Sequence, residues 1–231
     1  MPRRAAPARA SVGAGPAADR AGRCRRSGRA SQSSSNHSRA RLVGVNLLTG
    51  QQFPLRRNDG TELGTIRMGL GWDPVYVAGT AHEVDLDASA LLFAGDGIVD
   101  VSFYGQLISR DGSVRHRGDN LTGEGDGDDE IIIVDLTRVP EYVTSIVFVV
   151  TSYGGHTFEE ISNAFCRLVD VATDQELANF TLRGGLPFTG MVMAAVHRAS
   201  GEWVLEAVGA GISAKHPSEA AQQVAAMLAA P

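Results

Sequence analysis

Short apolar runs separated by turn residues recur along this chain from Val43 onward, at intervals of about ten residues. Alternating or β-branched patterns of this length predict strands. The predicted strands cover residues 43–48, 65–72, 84–93, 98–107, 113–117, 131–136, 145–153, 164–171, 177–182, 190–197 and 203–208. Many short strands with few helices predict an all-β fold, and we expect an antiparallel β-sandwich.

Two stretches favour helix instead. Residues 157–162 could form a short helix, with Thr157 as N-cap and two glutamates in its first turn. Residues 218–229 are rich in alanine and follow Pro217, which predicts a C-terminal helix. The sandwich should therefore carry one or two short helices.

The strand predicted at 84–93 has an unusual polar end. Side chains two apart share a face of a strand, so Asp85 and Asp87 should project to the same side, about 7 Å apart. Farther along, Leu91 and Phe93 make that face apolar, and small and apolar residues line the opposite face. Two carboxylates at the mouth of a buried strand are costly unless a positive charge compensates them.

A second acidic segment lies between two predicted strands. Residues 119–130 hold six carboxylates and three glycines, with no Lys, Arg or His. Crowded carboxylates suit a hard cation, calcium first and magnesium second. The segment is not an EF-hand, because Glu124 stands where the loop needs glycine and the following run is strand-like. A solvated acidic loop would have the same composition, and that interpretation stays open at this point.

Four motifs of the chain, in this order and spacing, resemble the tellurium-resistance proteins of the TerD and TerZ type. They are Gly69-Leu70-Gly71-Trp72-Asp73, the stretch 84–90, the acidic motif 118–130, and Asn163-Ala164-Phe165-Cys166-Arg167. The resemblance runs from about Val43 to about Gly209, and the TerZ-like character rests on residues 152–158 and 189–193. Asp126 is a departure, because the family often has Glu there.

The resemblance implies a calcium-binding β-sandwich of a bacterial stress-response and tellurite-resistance system, without established catalysis. It also places Asn163 near the metal site. We therefore expect one or two calcium ions, held by an inter-strand acidic loop and the strand acids. The candidate ligands are Asp85, Asp87, Asp119, Asn120, Thr122, Glu124, Asp126, Asp128, Asp129, Glu130 and Asn163.

An enzyme is the alternative. A metal-dependent hydrolase could use the same carboxylate cluster with magnesium or manganese. An open coordination position beside a base would favour it, and a site closed by protein oxygens would count against it. The chain has no nucleophile elbow, P-loop, zinc-binding histidine pair or dinucleotide fingerprint. We therefore expect a scaffold or sensor.

Residues 1–41 differ in composition from the rest. They hold ten arginines and one acid, and they lack aromatic residues and any hydrophobic period, which predicts a disordered tail. Of 21 basic and 26 acidic residues, 11 and 25 remain beyond the tail, so the remainder carries −14. The expected organisation is this tail, a β-sandwich domain at 42–212 and a helical C-terminal segment at 213–231.

Three interpretations of the tail are open. It shares the composition of an organellar transit peptide, but it has no amphipathic stripe. Its charge could contact anionic lipid or nucleic acid without sequence specificity. It could also be an extension upstream of a native start near Val43, which we favour.

The cysteine count and the resemblance also lead to expectations about the compartment and the partners. Two cysteines cannot form a disulfide framework, which favours a reducing, cytoplasmic location. No stretch has the apolar length of a signal peptide or of a transmembrane helix. The resemblance implies that other proteins of the stress-response cluster are the partners.

Overall fold

The computed structural model describes residues 45–46, 48–73, 75–77, 80–82, 84–121, 127–182 and 187–229. All of them belong to one structural unit, Ala40–Pro231. The tail at 1–41 lies outside the described residues, as do Thr122, Glu124 and Asp126. For Asn163 the backbone is described and the side chain is not.

The described residues form fourteen strands and one helix, so the expected all-β class is confirmed. In chain order the elements are β1 Val45–Asn46, β2 Gln52–Pro54, β3 Thr65–Asp73, β4 Val75–Val77, β5 Thr80–His82, β6 Leu86–Ala94, β7 Gly97–Ser102, β8 Val114–His116, β9 Glu130–Asp135, β10 Ser145–Ser152, β11 Ser162–Asp170, β12 Gln175–Leu182, β13 Gly190–Ala199, β14 Glu202–Ile212 and α1 Pro217–Leu228.

Two six-stranded sheets make the sandwich. Sheet A has the order β1-β12-β11-β3-β9-β8, and sheet B has the order β2-β14-β13-β10-β6-β7. The pairings are antiparallel except that of β1 with β12, which is parallel and lies at an edge. A separate two-stranded ribbon joins β4 to β5.

The main core lies between the two sheets, where side chains of alternate residues meet. In β9, for example, Ile132 and Val134 are buried and Ile131 and Ile133 are only half-buried. Alternation of this kind is expected of a sheet with one face toward the core and one toward solvent.

Sheet B is different, because its central strands β6, β10 and β13 are buried on both faces. In β6, Ala90 and Leu92 face the inter-sheet core, whereas Leu91 and Phe93 belong to a second apolar cluster. Helix α1 contributes Ala221 and Val224 to that second cluster, so it covers the outer face of the sheet. The continuous apolar pattern of β6 and β10 is the result.

Some local expectations were wrong. Residues 157–162 form a turn rather than a helix, with Glu160 N donating to Thr157 O at 2.9 Å. Strand β11 begins at Ser162, which leaves too few residues for a helix. Pro217 is the first residue of α1, not its predecessor, and His216 is the N-cap. A strand was predicted at 84–93, but β6 begins at Leu86, so Asp85 lies just before it.

Within the described residues, no helix combines the length and the apolar character needed to cross a membrane.

The helix should contribute measurably to stability through its buried face. Changing Val224, which is buried in the second cluster, to Ala removes two methyl groups, and we expect a loss of about 2 kcal/mol in the free energy of unfolding. Met227 lies on the same helix but is exposed, so Met227→Ala should change stability by less than about 0.5 kcal/mol. Urea unfolding of both variants tests this. Equal effects would mean that α1 is not packed as described.

Candidate functional site

Three carboxylates converge at one end of the sandwich. Asp85, Asp87 and Asp119 each offer an oxygen, and these oxygens lie within 4.8 Å of one another. Asp87 is the second residue of β6, Asp85 precedes that strand, and Asp119 lies in the segment between β8 and β9. Two distant parts of the sequence therefore build one cluster.

Two carboxylate oxygens of the cluster have no hydrogen-bond partner. The side chain of Asp87 is deeply buried, with the whole residue 2% exposed, and its Oδ2 has no hydrogen-bond partner. Asp85 Oδ1 is also buried without a partner. Buried polar atoms of folded proteins are almost always satisfied, so these two carboxylate oxygens have acceptor capacity left for a donor or a cation.

The electrostatics point the same way. Burial, and after it the nearby Asp85, Glu130 and Asp119, together raise the pKa of Asp87 to about 8. Burial, and then Asp119, raise the pKa of Asp85. Three ionised carboxylates at this spacing repel one another, although Asp119 is exposed and only Asp87 is fully buried, and a cation between them would remove the penalty.

Glu130 accepts hydrogen bonds from the backbone next to Asp87 and Asp119. Its side chain is fully buried, Oε2 accepts from Ala88 N at 2.6 Å, and Oε1 accepts from Asn120 N at 3.3 Å. Ala88 belongs to sheet B and Glu130 to sheet A, so one carboxylate links the two layers. The link fixes the residues next to Asp87 and Asp119.

His116 completes this link. Its Nδ1 accepts from Gly118 N at 3.2 Å, which leaves Nε2 to carry the proton and to donate to Glu130 Oε2 at 3.3 Å. The hydrogen bonds from His116 and Ala88 lower the pKa of Glu130, but its burial is the larger effect and the pKa is raised. Both ring nitrogens are engaged inside the protein.

The next acid, Asp129, is held by groups of its own. Oδ1 accepts from Asn120 Nδ2 at 2.9 Å, and Oδ2 accepts from Trp72 N at 3.0 Å. The backbone N of Asp129 donates to Leu70 O at 2.7 Å. These contacts tie the end of the acidic segment to β3.

Asp128 points to the outer face of sheet A. Its Oδ1 accepts from Arg167 Nε at 2.7 Å, and Arg67 Nε lies 3.9 Å from Oδ2. The carboxylate rests directly over Gly69, where any Cβ would overlap it. Gly71 next to it gives room in the same way to the ring of Phe165 and the carbonyl of Gly127. Gly69 and Gly71 therefore leave space over β3 that the acidic segment fills. We call Gly69, Asp128 and Arg167 together the clamp.

The structure thus sorts the predicted ligands into groups. It brings Asp85, Asp87 and Asp119 together, and it sets Glu130 close enough to raise the pKa of Asp87. Asn120, Asp128 and Asp129 make the protein contacts given above. Thr122, Glu124, Asp126 and the side chain of Asn163 lie outside the described residues and stay predictions.

Sequence reasoning missed several residues around the cluster. Tyr104 lies near it, since the pKa of Tyr104 is raised by burial and then by the charge of Asp87. Tyr104 meets Tyr153 edge to face, with ring centroids 6.3 Å apart. Neither tyrosine forms a motif with the acids. The glycines and Arg167 stood inside recognisable motifs, but their role depends on contacts that spacing does not reveal.

The clamp predicts an effect of Gly69→Ala. The new Cβ displaces the Asp128 carboxylate and breaks its hydrogen bond with Arg167, at a cost of about 2 kcal/mol in the free energy of unfolding. Gly64→Ala is a matched control in the same protein, because its Cβ would meet only Thr137 Cγ2, at 3.6 Å. Denaturant unfolding of the two variants distinguishes them. Equal stability of both would contradict the clamp.

The raised pKa of Asp87 predicts how stability depends on pH without metal. The unfolded residue titrates near 3.8 and the folded one near 8, so between these values the folded state binds more protons. Unfolding then becomes easier as pH rises from about 5 to about 8, by on the order of 2 kcal/mol. Asp87→Asn should flatten this dependence. Urea unfolding in chelator across this range tests it, and parallel pH profiles for the two proteins would contradict it.

Comparisons with known proteins identify the family. The family model described as TerD domain matches residues 43–216. Tellurium resistance protein TerZ of Serratia marcescens is 40% identical over 173 residues, covering 71% of this chain and 89% of that protein. Stress response protein SCP2 of Bacillus subtilis is 36% identical over 186 residues, covering 73% of this chain and 93% of that protein.

A solved structure supports the fold. The crystal structure of a homologue of a telluride resistance protein from Streptomyces coelicolor superimposes with a TM-score of 0.62 at 22% identity, over 73% of this chain and 99% of that one. At this identity the likeness concerns the fold alone. The family model and the curated relatives carry the assignment, and by them the chain belongs to the TerD domain family.

Proposed function

We propose that this protein is a calcium-binding module of a bacterial stress-response and tellurite-resistance system, and that it acts as a scaffold or sensor without catalysis. The observation that carries the proposal is the pair of buried, unpartnered oxygens of Asp85 and Asp87 facing Asp119. An acidic surface in contact with water would have no such orphan atoms.

Calcium suits this set of donors better than other metals. The converging side chains offer oxygen only, which hard cations prefer over softer transition metals. Calcium accepts six to eight oxygens in irregular arrangements, and carboxylates from a strand end and a loop provide such an arrangement. Magnesium demands a near-ideal octahedron and keeps more of its water.

One ion fits the Asp85, Asp87 and Asp119 cluster. Thr122, Glu124, Asp126 and Asn163 remain proposed ligands, and they would complete this ion's shell or hold a second ion. Asp128 and Asp129 already have protein partners, so in this proposal they hold the loop in position. Glu130 does the same from inside the sandwich.

Calcium would also couple the two sheets. Asp87 belongs to sheet B, and Asp119 enters the loop that leads to β9 of sheet A. An ion between them adds a second link beside that of Glu130. Binding the folded state alone, it would stabilise the protein by about 2.7 kcal/mol at a hundredfold excess over Kd.

His116 is not available as a base for the hydrolase alternative. His116 is the histidine next to Glu130, and both of its ring nitrogens already have partners inside the protein. Cys166 offers no nucleophile either, because burial raises the pKa of its thiol. These groups favour a binding role over turnover, and they disfavour direct reduction of an oxyanion by thiol chemistry.

The biological setting comes from relatives whose names include tellurium resistance protein and stress response protein. We infer that the protein works in the cytoplasm with other proteins of such a system. The calcium site would then report, or depend on, the ion level in that compartment.

Calcium titration of single variants tests the site. Asp85→Ala and Asp119→Ala each remove a converging carboxylate, so calcium affinity should fall at least about tenfold. Glu141→Ala and Glu159→Ala remove exposed acids elsewhere and should change affinity less than about twofold. Calorimetry at low and at high salt measures all four.

A diffuse acidic surface gives a different outcome. It would lose affinity equally in all four variants, and salt would screen the attraction within about 8 Å. A chelator should also lower the Tm of a calcium-loaded sample by several degrees. An unchanged Tm in a sample shown to contain calcium would rule the proposal out.

A further inference from the structure

A groove of about 540 Å³ lies between helix α1 and strand β7, on the outer face of sheet B. Leu91 of β6 contributes to its lining. Ile98 and Val101 line it from β7, and Ala221 and Ala225 line it from α1. None of these residues belongs to the carboxylate cluster described above.

Small residues on the helix explain why the space is open. Ala221 and Ala225 are four apart, so they lie on the same face of α1, and a methyl group is all that each projects toward β7. Ile98, across the groove, remains 46% exposed although apolar residues lie around it. A larger side chain on this helix face would have covered it.

The two ends of the groove differ. At one end His216 caps α1, with Nδ1 accepting from Ser218 N, and its ring meets Phe103, just past the end of β7, with centroids 5.4 Å apart. His216 Nδ1 is therefore already occupied by a hydrogen bond within the protein. The start of α1 therefore lies beside the end of β7.

The other end is negative. Asp96, in the turn before β7, lines the groove together with Ala225 near the end of α1. The C-terminal end of a helix carries partial negative charge, and the last turn of α1 contains no basic residue to offset it. The described residues that line the groove include no Lys or Arg.

We propose that this groove binds a small amphipathic cation, with an apolar chain along α1 and a protonated amine beside Asp96. The volume lies within the range of about 300–1,000 Å³ typical of small-molecule sites. From Pro217 to Ala225 the helix rises about 12 Å, which sets the length of the chain that can lie flat. The formal charge of −5 on the whole chain favours the same class of ligand.

Linear alkyl ions of matched length test the proposal on the full chain. The probes are octylammonium, decylammonium and octyl sulfate, all kept below micelle formation and titrated at low ionic strength with amide NMR shifts as the readout. Shifts induced by the ammonium ions should centre on β7 and α1. Decylammonium should bind about fifteenfold more tightly than octylammonium, since each of the two added methylenes contributes about fourfold. Octyl sulfate should bind at least about fivefold more weakly than octylammonium.

Two groove variants and one control sharpen the result. Ala225→Leu fills the groove from the half-buried side of the helix and should weaken binding more than tenfold, and Ile98→Trp provides the same block from the strand should the first variant lose its fold. Asp96→Asn should reduce the preference for ammonium over sulfate about threefold. Glu159→Gln, an exposed acid outside the groove, should leave binding unchanged.

Some outcomes would overturn the proposal. Equal binding of sulfate and ammonium would mean apolar adsorption without a charge-selective site. Undiminished binding to a folded filled variant, or shifts centred on the acidic cluster, would place the ligand elsewhere. Calcium is held constant throughout, so a failure here leaves the calcium proposal untouched, and the reverse also holds.

Discussion

The burial of the Asp87 carboxylate is the constraint on which the rest of this site depends. A strand that is apolar on both faces carries an acid at its second position, and one carboxylate oxygen of that acid is buried without a hydrogen-bond partner. Such a group is tolerated only where something compensates it. The loop carrying Asp119 is brought to the same place by hydrogen bonds of Glu130, Asn120 and Asp129. These contacts hold three carboxylates near one another, in an arrangement that could hold a metal ion.

Most of the architecture could be predicted from the sequence, because it depends on local patterns. The alternation in β9 and the continuous apolar runs of β6 and β10 gave the right strands and the right class. The two faces of the strand at 84–93 were also assigned correctly, because period-two geometry does not depend on the partner strands. Strands of three residues, such as β2, β4 and β5, were missed because they are too short to show a period. The helix expected at 157–162 had a suitable N-cap and first turn, but its last residue, Ser162, is the first residue of β11.

The site was less predictable than the fold. Composition and motif singled out the acidic segment, and strand periodicity put Asp85 and Asp87 on one side. Which acids converge depends on hydrogen bonds between distant residues, and spacing along the chain does not contain that information. Asp128 and Asp119 look alike in the sequence, yet one pairs with arginines on the outer face of sheet A and the other meets the strand acids. His116 contacts Glu130 and Arg167 contacts Asp128 only because strand pairing in sheet A brings these residues together.

The acidic segment needs the space that Gly69 and Gly71 leave on β3, and this need limits how the loop can change in evolution or be transferred by engineering. Asp128 can lie flat because Gly69 has no side chain, and it stays there because Arg167 of the neighbouring strand holds it. The loop sequence alone would therefore not reproduce this arrangement in another protein. A graft onto another β-sandwich would need the bare strand position and the arginine as well. Within the family, a substitution at any one of these three positions should be accompanied by changes at the other two, so they should vary together as one inherited unit.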